Sequence, residues 1–421
     1  MKTNAKMASG LQRYPLWLYI VLAVVMLVGI GAWAYQLMMG HRVTDMSNMT
    51  YWGVNITMFM FFVGLSAGGL IVASSAHVFN IESFKKVALP AVITSTVCIC
   101  LAAGYILVDL GSIQRIFQMI ITPNLMSPLV WDMTVIALYL IINVIDIVFI
   151  VKGDERKVTI LSRIALPVAV LVHSVTAWIF SLQIGHMWYT AIMAPIFVVS
   201  ALDSGMALLL LALLVLKACG MFAFDDKLMK SLSGLLAVFV AIDAYLVGCE
   251  LLTMAYPGGP ELAAFTVLTT GATAPFFWFE IIGGLLIPFL ILVFSKNREK
   301  KGLVIAASVL VVLGVLCKRI WLLFTAFIAP YAEPAPMTPD YLMAQSTFSP
   351  TGFGAFYTPT LPEVLILFGV IALGLLGFMV LSEKLCPLAV KETQPKTVAR
   401  KAAAVDSQLG DDFAEASPVQ I

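Results

Sequence analysis

The sequence predicts an all-α, polytopic membrane protein with about ten transmembrane helices, arranged as two tandem four-helix bundles plus flanking helices. Three observations carry the prediction. Of 421 residues, 61% are hydrophobic and only 12% charged, against roughly 25% charged in a soluble domain. Mean hydropathy is +0.98. Apolar runs of 18 or more residues recur, each long enough to cross a hydrocarbon layer of about 30 Å as a helix. A disordered tail protein and a soluble enzyme of ordinary composition are excluded. The net charge of +1 supplies no field for a polyanion, so the lipid bilayer is expected as a partner and nucleic acid is not.

The first span, about 16–39, follows the basic segment MKTNAKMASGLQRYP. It is longer than a signal-peptide core and has no convincing cleavage site, so it reads as an uncleaved helix. Nine more spans fall at about 52–79, 87–110, 128–151, 160–184, 192–217, 230–256, 274–295, 303–328 and 361–383. Lys and Arg set their direction. The N-terminus, the even-numbered loops and the tail hold 21 of them, the odd-numbered loops hold Arg42 and Arg115, and Lys318 and Arg319 lie inside the ninth span. Both termini are therefore expected in the cytoplasm. The outward loops 111–127, 257–273 and 329–360 are long and rich in aromatics, Pro and Gly, so a partner or substrate is expected outside. The tail, 388–421, is polar and expected to be disordered.

Spans two to five resemble spans six to nine. Leu65-Ser66-Ala67-Gly68 matches Leu202-Asp203-Ser204-Gly205 at an offset of 137 residues. Tyr105 and Asp109 align roughly with Tyr245 and Glu250, and Pro128-Leu129-Val130-Trp131-Asp132 aligns with Pro275-Phe276-Phe277-Trp278-Phe279-Glu280. A shift of four spans preserves orientation, which makes this a parallel repeat. The organisation expected is an N-terminal segment with the first span (1–51), a first bundle (52–184), a second bundle (185–328), and an outward loop with the last span (329–387). Small residues and helix-opening Pro are also common in membrane helices without any repeat.

An ionisable side chain inside a membrane costs on the order of 2.5–3.5 kcal/mol on insertion scales, so each needs a reason. Asn55, Tyr105, Asp109 and Asp132 fall near the outer rim of the first bundle, with Arg115 nearby. Carboxylate, phenol and amide at the edge of an apolar bundle suit a quinone, whose oxygens they can bind and whose protons they can exchange. The alternative is that Asp109 and Asp132 flank helix ends or pair with Arg115. The second bundle carries Asp203, Asp243, Glu250 and Glu280, with Asp243 and Glu250 on one helical face. These acids read as a proton path or, with Lys318 and Arg319, as a structural ion-pair cluster.

Histidine is scarce. A bis-histidine haem needs two facing imidazoles at one depth, and only His173 lies mid-membrane, where it joins the quinone-binding candidates. The six cysteines form no CxxC pair, so neither iron–sulfur ligation nor a metal site is expected. Electrons are expected to pass to or from a separate protein seated on the outward loops.

The segments YWGVNITMFMFFVGLSAGG, DLGSIQRIFQMIITPNLMSPLVWD and HSVTAWIFSLQIGHMWYTAIMAPIFVVSALDSG resemble the NrfD/PsrC family, the membrane subunits of polysulfide reductase. The resemblance covers roughly residues 50–330. It implies a subunit of the prokaryotic inner membrane that binds menaquinone or ubiquinone near the outer face and usually lacks haem. It also implies docking to an extracytoplasmic four-cluster ferredoxin-like iron–sulfur protein, itself joined to a molybdopterin catalytic subunit or a multihaem cytochrome c. By resemblance, Asp132 in SPLVWD is the catalytic proton carrier of the quinone site, and Asn55 falls near the family's polar position. Where some members place a histidine about a turn later, this chain has Met58, Phe59 and Met60. The competing reading is a proton-coupled secondary transporter, which also uses repeats and midplane acids but more often shows inverted repeats and broken helices.

Overall fold

The computed structural model describes residues 14–47, 50–329 and 357–386. The expected disordered tail and most of the loop 329–360 lie outside them. Among the described residues, ten helices are long and apolar enough to span a membrane: α1 Leu16–Met39, α2 Val54–Val78, α3 Ala88–Asp109, α4 Pro128–Val151, α5 Glu155–Ser181, α6 Met193–Ala218, α7 Asp226–Ala255, α8 Ala274–Val293, α9 Lys301–Ile328 and α10 Leu361–Cys386. No strand occurs among the described residues.

Local chemistry sets several helix ends. Pro128 opens α4 at a first-turn position, where its missing N–H costs nothing. Asp154 accepts a bond from the Lys157 amide (3.2 Å), so α5 begins at Glu155, five residues before the hydrophobic run alone suggests. Thr360-Leu361-Pro362-Glu363 has the capping-box pattern at the start of α10, and its Glu half forms, with Glu363 Oε2 accepting from the Thr360 amide at 2.9 Å. Inside α8, the stretch Phe279–Leu286 is a widened π-helical turn. It precedes Pro288, which has no N–H to offer the Gly284 carbonyl, so the regular ladder breaks here.

The most buried span is α2, with 94% of its apolar window inside the protein. It packs on α3, α5, α6 and α9. Further pairs are α3 with α4, α3 with α6, α4 with α5, α5 with α6, α6 with α7, α6 with α9, α7 with α8, and α8 with α9. Helices in lipid associate by close backbone approach at small residues. Gly68 of α2 and Gly205 of α6 meet in this way, and a Cβ on Gly68 would lie 2.7 Å from the Met206 nitrogen. These two glycines are the positions that the internal repeat aligns. α1 and α10 lie to one side of this set. They cross at Gly29 and Gly369, where a Cβ on Gly29 would lie 2.6 Å from the Gly369 Cα. At the loop-rich end, the connections include the helices Ile116–Ile121 and Gly259–Thr270.

Candidate functional site

The end of α3 gathers polar groups from four segments. Asp109 is its last residue, and the Asn55 side chain, in the first turn of α2, faces its carboxylate. Gly111, at φ +62°, turns the chain off α3 and leaves room for the His41 ring against it. Burial pushes the His41 imidazole below its ordinary range, although Glu363 nearby pulls the other way. Gln36, 2% exposed on α1, donates from Nε2 to the Val108 carbonyl at 3.5 Å. Four shielded atoms here have no hydrogen-bond partner: Gln36 Oε1, His41 Nδ1, Asn55 Oδ1 and Asp109 Oδ1.

The chain entering α10 closes this cluster. Glu363 is fully buried and accepts from the Tyr357 hydroxyl, from Thr360 Oγ1 at 2.9 Å and from the Asp45 amide at 3.3 Å. The Tyr357 hydroxyl accepts from the Val54 amide (3.2 Å), which ties α10 to the start of α2. Burial and the neighbouring Glu363 carboxylate hold the Tyr357 phenol above the usual range.

The other candidates of the first half separate. Tyr105, about a turn below Asp109, donates its hydroxyl to the Leu367 carbonyl of α10 at 2.9 Å. Arg115 is exposed in the turn after α3, and no ion pair to it forms among the described residues. Asp132 is buried and accepts from Thr176 Oγ1 of α5 at 2.6 Å, so its bond is to a neighbouring helix rather than to a helix-end amide. His173, a turn before Thr176, is 1% exposed, and its Nε2 has no partner.

In the second half, Asp203, Asp243 and Glu280 converge on the two cations of α9. Lys318 Nζ lies 2.9 and 3.0 Å from the Asp243 oxygens and 3.4 Å from Glu280 Oε1. Trp321 Nε1 donates to Glu280 Oε2 at 2.6 Å. Asp203 lies against Asp243. Arg319, with no exposure, places its guanidinium carbon 4.0 Å over the Phe197 ring and Nη2 3.4 Å from Ser200 Oγ. Three carboxylates facing two cations carry one surplus negative charge, and in a low-dielectric interior a proton neutralises such a charge most readily. Glu250 stands apart. It accepts from Thr190 Oγ1 at 3.2 Å and shares with Lys318, Arg319 and Trp321 the wall of a cavity of about 20 Å³, room for one water.

Sequence reasoning missed Gln36, Tyr357, Glu363 and Asp146, and it saw His41 only as a loop residue. Asp146 is 1% exposed in α4, and the criterion that selected Asp203 would have found it. Glu363 was legible through its capping box. Gln36 had no such signal, because α1 lies outside the repeat.

The sequence profile described as polysulphide reductase, NrfD, matches residues 42–330. The chain is 34% identical over 393 aligned residues to a putative dimethyl sulfoxide reductase membrane subunit of Halobacterium salinarum, covering 85% of this chain and 88% of the relative. It is 27% identical to a selenate reductase subunit of Mesobacillus selenatarsenatis (75% and 83% covered). It is 29% identical to the Hdr-like menaquinol oxidoreductase integral membrane subunit of Archaeoglobus fulgidus (86% and 91% covered). These relatives are named as subunits of oxidoreductases, two of them explicitly as membrane subunits. The present chain, a multi-pass membrane protein, belongs to the polysulphide reductase NrfD family.

Proposed function

We propose that this chain is the quinone-reacting membrane subunit of a respiratory oxidoreductase and exchanges electrons with an extracytoplasmic iron–sulfur subunit. The observation that carries the reading is the convergence of Gln36, His41, Asn55 and Asp109, each with a shielded polar atom lacking a partner. Buried polar groups are normally satisfied; three of these atoms are acceptors, and the two hydroxyls of a quinol supply donors to them. The 21-to-2 division of Lys and Arg between loop sets puts this end outside and both termini in the cytoplasm. The pairwise packing of α2 to α5 and of α6 to α9 supports two four-helix bundles, the first holding the quinone and the second the proton path.

Oxidation of a quinol releases two electrons and two protons, and reduction of a quinone takes up the same. Asn55 and Gln36 orient the ring oxygens, and His41 hydrogen-bonds one of them. Asp109 takes or gives the proton at its free Oδ1. Asp132, held by Thr176, acts as the proton carrier toward the bundle interior, with His173 one turn before Thr176 on the same helix. Asp203, Asp243 and Glu280 share the surplus proton, and Glu250 exchanges it with the outside through the water-sized cavity. The electrons pass to the partner on the outward loops, beyond which lies a molybdopterin subunit or a multihaem cytochrome c. The Archaeoglobus relative is named as a subunit of a menaquinol oxidoreductase, which favours menaquinone over ubiquinone as substrate.

Asp132→Asn keeps the size of the side chain and loses the proton-carrying function. Quinol-linked turnover of the intact complex should fall by about 10²-fold or more, with every subunit still present. Wild-type turnover and inhibitor affinity in this variant would make Asp132 a helix-packing residue.

A further inference from the structure

We infer that the groove between α1, α3 and α10 holds the isoprenoid tail of the quinone, so the two helices outside the repeat build the lateral entry to the site. The inference rests on the quinone reading above and adds the path by which the substrate arrives. Thr96, Cys100, Gly104 and Val108 recur every four residues along α3 and line one wall. From Thr96 to Val108 the helix rises about 18 Å. Trp33 of α1 and Gly369 of α10 contribute to the facing walls. The groove's volume is about 480 Å³, within the range of roughly 300–1,000 Å³ that holds an organic ligand. Ile30 (50% exposed) and Leu373 (54% exposed) stand at the opening, on the side where lipid would lie.

The polar end of the groove distinguishes a quinone from a phospholipid. Val108, its last α3 residue, accepts from Gln36, and the next residue is Asp109. The groove therefore runs from the bilayer to Val108, the residue before Asp109 and the one whose carbonyl holds Gln36. A phospholipid would bring a phosphate to that level, where Asp45, Asp109 and Glu363 would repel it. Arg42, in the same turn, is exposed with Nη2 against Met39 Sδ (3.8 Å). An uncharged ring with two oxygens carries no such penalty.

The test uses the complex in native membranes and a quinone with a photoreactive group on its tail. In the wild type, the label should fall on α3 between Thr96 and Val108 and on the facing wall of α10. Gly104 faces Val370 at an ordinary contact distance (3.7 Å from its virtual Cβ), so Gly104→Phe fills the groove. Its affinity for a long-tailed quinone, measured relative to a tail-less analogue of the same ring, should fall about tenfold, the loss expected from expelling roughly two methylenes. Saturable quinone binding with the label elsewhere overturns the groove and leaves the quinone reading standing. A phospholipid held in the groove that quinone cannot displace does the same. No saturable quinone binding in the wild type overturns both. Labelling needs no variant, so misfolding of Gly104→Phe does not shelter the inference.

Discussion

Lys318 illustrates how each buried charge in this protein depends on its neighbours. It is 2% exposed and bridges Asp243 and Glu280, so its loss leaves carboxylates uncompensated in an apolar interior. Breaking a buried pair in this way typically costs about 3–5 kcal/mol. Lys318→Met should lower the unfolding temperature in detergent markedly, and adding Asp243→Leu should restore part of the loss. If Lys318→Met alone were neutral, the cluster would not be coupled as the distances indicate. His41 supplies a second signature. Burial lowers its pKa, so the folded chain binds fewer protons there than the unfolded chain. The associated stability is present above the unfolded value of about 6.5 and is lost as pH falls through it toward the folded value. His186 is shifted the same way by burial, so His41→Gln should reduce, without abolishing, the decline in thermal stability between roughly pH 7 and 5. An unchanged decline would place the acid sensitivity elsewhere.

At the scale of elements, the ten spans were legible because hydrophobic length and helix-end chemistry act locally. Ser127-Pro128 marks a start that residue type alone specifies, whereas Asp154 starts a helix ahead of the apolar run that placed this span at about 160. The π-helical turn of α8 was not legible. Pro288 warns of a break, but its placement of Glu280 against Lys318 and Trp321 depends on packing with α9. The same holds for Tyr105, whose hydroxyl is claimed by a carbonyl of α10 far along the chain. Direction across the membrane follows from loop charge. Reporter fusions after residue 45 should report outside and those after residue 155 inside. The reverse pattern would invert every assignment of side made above.

Across the whole molecule, the structure brings into contact Gly68 and Gly205, two residues that the expected repeat aligns. The deep acid cluster was largely legible, since an acid in an apolar span is conspicuous and Lys318 and Arg319 were its evident counter-charges. The rim site was legible only in part. Asn55 and Asp109 stood out within the first bundle, but Gln36, His41 and Glu363 come from helices or turns outside the repeat, and only the tertiary arrangement unites them. At this scale the quinone reading also requires a partner at the loop-rich end. Crosslinkers placed in 111–127 and 257–273 should capture an iron–sulfur protein, whereas capture only from the basic loops would place the partner on the opposite face.

The most direct test follows electrons from the rim site into that partner. In the isolated complex, electron paramagnetic resonance should show the partner's iron–sulfur clusters changing redox state when the quinol-to-quinone ratio is stepped. Asp109→Asn should slow the change by about 10²-fold or more with the complex fully assembled. Cluster redox change at the wild-type rate in Asp109→Asn, or in a complex lacking this chain, would contradict a quinone site at the end of α3.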